Sequence, residues 1–379
     1  MKQSPVSCWL ELPNWQKVKH MRLAVIFVHY HTPELLARSV AAIECELAAL
    51  AVPSECLVVD NGSTPADRSR LQKLPVRLIE PGANLGYAGG INLGVGQTAA
   101  DILIFLNPDV LVQTGCLRAL LTVLDQGAAV AGPRFFWDET KRFFLPPTEL
   151  RTKWAEVSKR LAPFDVRLAR WTRQAWRAHA QSHWLATQPF PSFTLSGALL
   201  AVRRDAWEQV GPFDTGYQLY FEETDWLARL EHKGGRACYV PDAMAVHFYN
   251  QSAAREPLAL QWFAASEKRF LSCRHGQFFF KTLGWLDSLP NRLHPDQDCF
   301  GQPQLDLAQL AASDDYPVWI EFSPDARGIP AAAELISTPP DKMWSFPAIS
   351  WENLSPGRYF LTVVNREGLE LTRLGCHRR

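Results

Sequence analysis

The sequence predicts an α/β fold built on a mostly parallel sheet with helices on both of its faces. Three observations carry this prediction: short apolar runs alternate with helical stretches, several runs end in a polar tip, and turn residues separate the elements. Alternating strands and helices are typical of a doubly wound parallel sheet. The length of 379 residues leaves room for about two or three domains.

Residues 22–32 begin the alternation as a buried strand with a polar exit. Thr32 and Pro33 suit the N-cap and the first turn of a helix that extends to Leu50. The region then continues with strand 56–59, strand 76–79, a glycine-rich helix within 84–99, strand 102–106 and helix 115–125.

Residues 135–190 interrupt the alternation with five tryptophans among many arginines and lysines, and a helix is predicted over 151–180. A basic aromatic helix is compatible with a lid, an acceptor platform or an interfacial helix. It is equally compatible with an insertion that packs its aromatic side chains on the main domain. The alternation resumes with strand 194–202, helix 204–210, helix 222–233, strand 236–240 and helix 257–285.

Residues 287–316 contain several prolines among Asn and Asp residues, which indicates a linker. Short strands with turn signals follow at 318–322, 343–346, 359–364 and 369–371, and they predict a small all-β, sandwich-like module. The predicted domains are an N-terminal extension (1–21), a main α/β domain (22–286) with an aromatic and basic insertion (135–190), a linker (287–316) and a β module (317–379).

The composition argues against several classes of protein. Lys plus Arg and Asp plus Glu both number 39, so the chain as a whole has no attraction to nucleic acid or to an anionic membrane. The eight cysteines form no CxxC pair and fit the reduced core of a cytoplasmic protein. Neither a signal peptide nor a membrane-spanning run is predicted. The insertion is nevertheless compatible with peripheral contact at the inner face of the membrane.

Polar residues follow the predicted strands at four places, which are His29–Thr32, Asp60–Ser63, Asn84–Asn92 and Asn107–Asp109. In open α/β sheets, ligands bind outside the carboxyl ends of the strands. A carboxylate at Asp109 can hold a hard divalent cation, and such a cation can carry the phosphates of a substrate. The carboxylate of Asp60 suits a base N–H or a ribose hydroxyl. Ordinary turns are the alternative reading of both tips.

A glycine-rich loop over residues 84–94 leads into a helix, and its glycines permit a close backbone approach. The loop has neither the GK[ST] ending of a Walker loop nor the glycine spacing of a dinucleotide fingerprint. Three carboxylates, Glu222, Glu223 and Asp225, stand at the start of a predicted helix between Phe221 and Trp226. A partly buried carboxylate there is a candidate general base, and a solvated first turn is the alternative.

Several motifs occur together in one order and spacing; they are Val58–Ser63, Asn84–Asn92, Leu106–Asp109, Ser196–Ala198, Gly211–Asp214, Phe221–Trp226 and His247. With these motifs the chain resembles family-two glycosyltransferases, and most of all the rhamnosyltransferase and galactofuranosyltransferase branch. The resemblance covers about residues 22–280.

The resemblance implies a nucleotide-diphosphosugar-binding fold of the GT-A type and inversion at the anomeric carbon. It implies that Mg²⁺ or Mn²⁺ is held by Asp109 and His247, with Asn107 replacing the first Asp of the family's metal motif. It also implies that Glu223 is the catalytic base, with Asp225 as second choice and Glu222 orienting one of them. The implied nucleotide-sugar-binding residues are His29, Thr32, Asp60, Asn61, Asn84, Gly86, Asn92, Asn107 and Gly197. Arg203 or Arg204 could support the diphosphate or be surface charges.

The predicted activity is metal-dependent transfer of rhamnose or a similar sugar in the synthesis of cell-surface polysaccharide. The donor would be a dTDP- or UDP-linked sugar, and the acceptor a hydroxyl of a glycan or lipid-linked glycan. A catalytically decayed carbohydrate-binding or scaffold protein is the first alternative. A nucleotidyltransferase is the second, although the first strand exit, His29–Pro33, lacks the lysine that such an enzyme would need.

Overall fold

A computed structural model describes residues 21–248, 258–287 and 297–378. The predicted N-terminal extension, apart from Met21, and residues 288–296 of the predicted linker lie outside the described residues. The chain divides into two compact units. The first unit is drawn from Met1–Phe135 and Leu185–Gln277, and the second from Phe136–Trp184 and Phe278–Arg379.

The elements are numbered in chain order over the described residues. The strands are β1 (Leu23–His29), β2 (Ser54–Asp60), β3 (Arg77–Ile79), β4 (Ile102–Leu106), β5 (Val110–Val112), β6 (Val130–Phe136), β7 (Phe190–Pro191), β8 (Leu199–Arg203), β9 (Ala237–His247), β10 (Gln297–Phe300), β11 (Gln304–Leu305), β12 (Val318–Ser323), β13 (Ala332–Ile336), β14 (Trp344–Ser345), β15 (Gly357–Val364) and β16 (Glu370–Arg378). The α-helices are α1 (Pro33–Leu50), α2 (Pro65–Leu71), α3 (Gly86–Gly96), α4 (Cys116–Asp125), α5 (Lys153–Leu161), α6 (Val166–Trp184), α7 (Arg204–Val210), α8 (Glu222–His232), α9 (Ala259–His275), α10 (Gln277–Asp287), α11 (Leu307–Leu310) and α12 (Ala348–Glu352).

The first unit is organised around one mixed sheet with the strand order β3-β2-β1-β4-β8-β6-β9-β5, and β7 pairs with β9. Strand β1 runs parallel to both β2 and β4, whereas β8 runs antiparallel to β4. The chain moves outward from β1 to β2 and β3, and then returns to the other side of β1 as β4. Strand order therefore reverses between β1 and β4, which is where doubly wound sheets bind ligands.

Both faces of this sheet are covered, because all seven side chains of β1 are buried. Ala24, Ile26 and Val28 share one hydrophobic cluster with residues of α3, α7 and α8. Elsewhere on the sheet, α1 packs against β5 and α4 packs against β9, and the two helices contact each other. The predicted α/β fold class, with a mostly parallel sheet and a separate C-terminal sheet module, is confirmed.

Helix α3 lies unusually close to β1 because glycines face the strand. A Cβ atom built on Gly90 would lie 2.7 Å from Cγ2 of Val28, and one on Gly94 would lie 2.5 Å from Cγ2 of Ile26. Real Cβ atoms do not approach other atoms so closely, so only glycine fits these positions without displacement of the helix. The predicted close backbone approach therefore serves, at these two positions, the packing of a helix on a strand.

The second unit contains a five-stranded sheet with the order β10-β16-β15-β12-β13 and a two-stranded ribbon formed by β11 and β14. Strand β15 pairs antiparallel with β12 and β16, and β12 pairs antiparallel with β13. Part of the predicted linker belongs to this unit, because β11 pairs with β14, and Leu305 and Leu307 are buried in its core.

Strand β12 is buried on both faces, and each face is covered by different partners. Val318, Ile320 and Phe322 belong to an aromatic cluster formed mainly within the β region. Trp319 points to the opposite face, where it packs with Trp176 and Trp184 of α6. A helix therefore covers the face on which an all-β sandwich would place a second sheet.

Residues 136–184 thus form part of the second unit, whereas the sequence analysis assigned residues 135–190 to an insertion of the main domain. A buried ion pair links the helix to the sheet, because the guanidinium of Arg177 donates to Glu321 at 2.5 and 2.9 Å. Arg173 makes a similar two-bond contact with Glu370, at 2.6 and 2.7 Å. Throughout the described residues, every helix is too short or too polar to cross a lipid bilayer.

We predict that Gly94→Ala destabilises the protein by about 1–3 kcal/mol, because its new methyl group must displace Ile26 or the helix. Gly96→Ala is the matched control, since a Cβ there meets nothing within 4 Å. That variant should be neutral or more stable by about 0.4–1 kcal/mol. Urea unfolding followed by circular dichroism measures both, and a Gly94→Ala variant as stable as the original protein would contradict the packing argument.

Candidate active site

Polar residues from several elements converge at the carboxyl ends of β1, β2 and β4. The backbone N–H of Asn107 donates to the carbonyl of Ala198 at 2.9 Å, so the segment before β8 lies beside the end of β4. Val110 pairs with His247 in the antiparallel register of β5 and β9. The order of the strands therefore places Asn107, Asp109, Gly197 and His247 in one neighbourhood.

Asp109 and His247 are both buried, and Nε2 of His247 lies 3.4 Å from Oδ1 of Asp109. The imidazole also packs against the ring of Phe135, with centroids 5.7 Å apart. Oδ1 of Asn107 is buried without a hydrogen-bond partner among the described residues. A carboxylate, a neutral oxygen and an imidazole are all ligands that a divalent cation accepts.

These three side chains could supply only part of a metal coordination shell. Within residues 21–248, 258–287 and 297–378, no group of three or more His, Cys, Asp or Glu side chains could hold a metal ion. Mg²⁺ commonly binds through one or two carboxylates together with substrate phosphates and water. The residues present therefore fit a cation that binds together with a phosphorylated substrate, and they do not fit a closed all-protein site.

Asp60, at the end of β2, is held by a buried polar network. The backbone N–H of Ser63 donates to Oδ1 of Asp60 at 3.0 Å, and Nδ1 of His29 lies 3.8 Å from the same oxygen. Burial raises the pKa of Asp60, but the neighbouring imidazole of His29 and the hydrogen bonds from Ser63 outweigh burial and lower the pKa to about 2. The carboxylate is therefore ionised, and its Oδ2 has no hydrogen-bond partner within the described part of the chain.

His29 orients this network and is fully buried. The backbone N–H of Thr32 donates to Nε2 of His29 at 3.1 Å, which assigns the proton of the neutral ring to Nδ1. Nδ1 lies 2.8 Å from Oγ of Ser63. Both ring nitrogens are thus used inside the protein. His29 and Thr32, predicted to bind the nucleotide-sugar, support the position of Asp60.

Asn61 fastens the glycine-rich loop to the end of β2. Its amide nitrogen donates to Oδ1 of Asn84 at 2.7 Å, and its amide oxygen accepts from the N–H of Leu85 at 2.7 Å. Gly86 follows with φ of +68°, and a Cβ there would lie 2.7 Å from the carbonyl oxygen of Gln218. Asn84 itself is exposed beside this loop. The loop is therefore held in one conformation next to Asp60.

Asn92 lies on α3 and makes two hydrogen bonds to the backbone of one residue. Its amide nitrogen donates to the carbonyl of Phe213 at 2.9 Å, and its amide oxygen accepts from the N–H of Phe213 at 3.0 Å. The structure therefore places this predicted nucleotide-sugar contact in a structural role, because both of its polar groups already have protein partners. It connects α3 to the segment that leads to the acidic cluster.

The three carboxylates of the acidic cluster have different environments. Glu222 is buried and Oε2 has no hydrogen-bond partner, whereas Glu223 is half-buried. Burial raises the pKa of Glu222 well above its usual range, and the charge of Glu223 raises it further. Asp225 accepts a 2.8 Å hydrogen bond from Nε of Arg229, which also donates to two backbone carbonyls. Burial therefore favours the protonated form of Glu222, and Asp225 is held in an ion pair.

The backbone before α8 is strained. Tyr220 and Phe221 have φ values of +66° and +71°, which are unfavourable for residues with a side chain. Aromatic packing stabilises this conformation, because Phe221 lies 5.5 Å from each of the rings of Phe263 and Phe270 on α9. Oγ of Ser266 also donates to the carbonyl of Leu219 at 2.9 Å. Helix α9 thus fixes the direction from which Glu222 and Glu223 enter the site.

Tyr87 and Gly197 connect the glycine-rich loop with the acidic cluster. The hydroxyl of Tyr87 donates to the carbonyl of Gly197 at 3.1 Å, and a Cβ on Gly197 would lie 2.9 Å from Cγ of Glu223. Burial raises the pKa of Tyr87 well above its usual range, and the charges of Glu222, Glu223 and Asp109 raise it further. Tyr87 was not among the predicted site residues, because only the folded chain brings it between these carboxylates.

Arg203 and Arg204 lie at the opposite end of the sheet from Asn107. Arg203 pairs with Ile102, the first residue of β4, and β4 is five residues long. At about 3.3 Å per residue, roughly 15 Å separate the two ends of the strand. Arg203 forms an ion pair with Asp205, and Arg204 donates to the carbonyls of Ala100 and Thr98. The suggestion that either arginine supports the diphosphate was wrong.

Comparisons with known proteins identify the family of the chain. The family model named "Glycosyl transferase family 2" matches residues 24–190. An N-acetylglucosaminyl-diphospho-decaprenol L-rhamnosyltransferase of Mycobacterium tuberculosis is 31% identical over an alignment of 287 positions, and the alignment covers 69% of this chain and 88% of the relative. The rhamnosyltransferase WbbL of Escherichia coli K12 is 25% identical over 176 residues, 45% of this chain and 62% of the relative.

Among the solved structures that align with the chain is a mannosyltransferase of Pyrobaculum calidifontis, described in complex with GDP-Man and Mn²⁺. The TM-score is 0.43 and the sequence identity 16%, and the alignment covers 75% of this chain and 77% of the mannosyltransferase.

The chain belongs to glycosyl transferase family 2, because it aligns with 88% of a relative that is 31% identical to it. It is therefore a glycosyltransferase, and the two curated relatives described above mark it as rhamnosyltransferase-like. This assignment favours the predicted transferase over the alternatives of a decayed scaffold and a nucleotidyltransferase.

We predict that Glu222→Gln stabilises the protein increasingly as the pH rises. The pKa of Glu222 in the folded protein is raised above the ordinary value of 4.5. The protonated side chain therefore makes its full contribution to the stability of the folded protein below pH 4.5. The contribution is lost as the pH rises through the folded-state pKa, because ionisation of the buried carboxyl is unfavourable. Melting temperatures measured across pH should therefore diverge between variant and original protein. A difference that stays constant with pH would contradict a protonated Glu222.

Proposed function

We propose that the protein is an inverting, metal-dependent glycosyltransferase that moves a sugar from a nucleoside-diphosphate donor to an acceptor hydroxyl. The observation that carries the proposal is the convergence of Asp60, Asp109 and Glu223 around the switch point between β1 and β4. Asp60 suits contact with a nucleoside, Asp109 suits a cation bound to a diphosphate, and Glu223 suits removal of a proton. These are the groups that such a transfer requires.

Glu223 is the proposed general base. It is half-buried and lies against Gly197, whereas burial raises the pKa of Glu222 and Asp225 is paired with Arg229. In the proposed step, Glu223 takes the proton of the acceptor hydroxyl as the acceptor oxygen forms a bond to the anomeric carbon. The bond from that carbon to the phosphate oxygen breaks, and its electron pair leaves with the nucleoside diphosphate. A single displacement of this kind inverts the anomeric centre.

Asp109, His247 and Asn107 are the residues proposed to hold Mg²⁺ or Mn²⁺. The buried Oδ1 of Asn107, which has no hydrogen-bond partner, supports this fit, since a buried polar oxygen is normally paired. Asn is a neutral ligand, so the site carries one negative charge fewer than a site with two carboxylates. When bound, the cation would neutralise the developing charge of the diphosphate leaving group.

Asp60 is the proposed contact for the nucleoside. Its ionised carboxylate has a fixed orientation and a buried Oδ2 without a hydrogen-bond partner. A base N–H or a ribose hydroxyl would supply that missing donor. Nε of Arg68 lies 3.6 Å from Oδ2 and 2.7 Å from Oε1 of Glu80, so the arginine is shared between two carboxylates. Charge balance around the nucleoside is thus partly provided by the protein.

The proposed donor is a dTDP- or UDP-linked sugar, with rhamnose as the first choice, because the two curated relatives described above are named as rhamnosyltransferases. The proposed acceptor is a hydroxyl of a glycan or lipid-linked glycan, since one of these relatives is named for a decaprenol-linked substrate. We place the reaction at the cytoplasmic side of the membrane. A panel of nucleotide sugars with synthetic lipid-linked acceptors tests the proposal, and NMR of the product should show the anomeric configuration inverted.

We predict that Glu223→Gln lowers kcat by about 10²–10⁴-fold, because the amide cannot accept the acceptor proton. Donor binding should change little, because the proposed donor contacts lie at Asp60 and Asp109. Asp225→Asn is the matched control on the same helix turn. It should lower the melting temperature by loosening Arg229 and leave kcat within about tenfold. If kcat fell further in Asp225→Asn than in Glu223→Gln, the role of general base would be assigned to Asp225.

We predict that removal of divalent cations with EDTA weakens binding of UDP and dTDP, and that added Mn²⁺ restores it. Asp109→Asn should weaken the metal-dependent part of this binding by roughly 10–100-fold, because a charged ligand is lost. Asp101→Asn is the matched control, since this exposed aspartate precedes β4 while Asp109 follows it. Calorimetry measures nucleotide binding without turnover. Equal binding with and without cations would refute the metal site.

A further inference from the structure

Residues 151–184 of the second unit are strongly basic in a chain whose total charge is zero. They contain eight Arg and Lys residues and two Asp and Glu residues. Five of the basic side chains form ion pairs with Glu149, Glu156, Asp287, Glu321 or Glu370; these are Arg151, Lys159, Arg160, Arg173 and Arg177. These paired side chains are largely buried, and their positive charges are neutralised by the carboxylates.

The other three basic side chains, Lys153, Arg167 and Arg170, are exposed. None of them forms an ion pair with a carboxylate in the part of the chain that the structure describes. Nζ of Lys153 instead lies 5.6 Å from the ring of Phe279 on α10. Positive charge that the fold itself does not neutralise is therefore concentrated on the outer side of α5 and α6.

Large aromatic side chains are exposed on the same helices. Trp154 on α5 is 59% exposed and Trp171 on α6 is 43% exposed, and their rings meet edge to face with centroids 5.6 Å apart. On α10, Phe278 is 87% exposed and Trp285 is 62% exposed. Their spacing of seven residues places them on one face of that helix. Soluble surfaces seldom expose several large aromatic residues together without a binding role.

Helices α5 and α10 are fastened to each other, so these residues belong to one surface region. Nε of Arg160 lies 3.1 Å from Oδ1 of Asp287, in addition to the contact of Lys153 with Phe279. Leu283 and Leu286 are the buried side chains of α10, and Phe278 and Trp285 lie on its other side. We call the set Lys153, Trp154, Arg167, Arg170, Trp171, Phe278 and Trp285 the basic aromatic face.

We propose that the basic aromatic face binds the surface of a membrane that contains anionic lipids. Tryptophan prefers the interface between headgroups and acyl chains, and Lys and Arg are attracted to anionic headgroups by about 1 kcal/mol each. The complementary charge selects this occupant, because the exposed cations have no acidic partner in the described chain. The three helices α5, α6 and α10 would bind along the bilayer surface with their exposed aromatic side chains inserted, and none of them would cross it.

Co-sedimentation of the full chain with vesicles tests the proposal without donor or acceptor, so its outcome is independent of the proposed reaction. We expect binding to mixed phosphatidylcholine and phosphatidylglycerol vesicles, weaker binding to pure phosphatidylcholine vesicles, and a decrease with added salt. The charge-reversal variant Arg167→Glu/Arg170→Glu should weaken partitioning by at least about tenfold. Trp154→Ser/Trp171→Ser and Phe278→Ser/Trp285→Ser should weaken it on both kinds of vesicle.

The matched control is Met343→Ser/Ile349→Ser, which removes two exposed apolar side chains elsewhere in the second unit. It should bind vesicles like the original protein. Circular dichroism and melting temperature show whether each variant is folded. Three outcomes would overturn the proposal: no sedimentation of the original chain with anionic vesicles, equal binding by the face variants, or sedimentation in the absence of vesicles that the face variants abolish. The last outcome would assign the face to self-association.

Discussion

The close packing of α3 on β1 is the constraint on which the arrangement of the active site depends. Gly90 and Gly94 allow the helix to approach the strand, and the position of the helix then determines three connections. Gly86 contacts Gln218 at its start, and Asn92 holds the backbone of Phe213. Between them, Tyr87 reaches the carbonyl of Gly197. The segment that carries the acidic cluster is therefore positioned from α3. A displaced helix would move the carboxylates without altering any of them.

The buried acidic groups of the site have different surroundings, and these surroundings shift their pKa values in opposite directions. Asp60 receives hydrogen bonds that lower its pKa, whereas Glu222 is buried without a partner for Oε2 among the described residues, and its pKa is raised. A raised pKa of Glu222 also disfavours a second negative charge beside Glu223. Asp109 is near the imidazole of His247. The acidic residues of the site thus differ in pKa, as contact with a nucleoside and removal of a proton would require.

Local sequence signals predicted the parts of the site that depend on one strand and its exit. An apolar run followed by a polar tip marks the ends of β1, β2 and β4, because burial and turn chemistry act on neighbouring residues. The roles of His29 and Asn92 were not predictable in this way. Their partners, Ser63 and Phe213, lie 34 and 121 residues away in the chain. A polar residue near a site can bind the ligand or support its neighbours, and only the long-range pairing decides between these roles.

A strand of the C-terminal sheet indicates why residues 136–184 belong to the second unit and not, as the sequence analysis proposed, to an insertion of the main domain. Val318–Ser323 is buried at every position, which a half-solvated sheet in a small β module does not require. Glu321 within this run needs a buried cation, and Arg177 supplies it from α6. Helix α6 is therefore charged on its inner side, where Arg173 and Arg177 are four residues apart. Because arginines occur on both sides of this helix, a simple division into polar and apolar faces conceals which side meets the sheet. The ion pairs identify the inner side of α6. Arg167, Arg170 and Trp171 lie on its exposed side, where they can contact a binding partner.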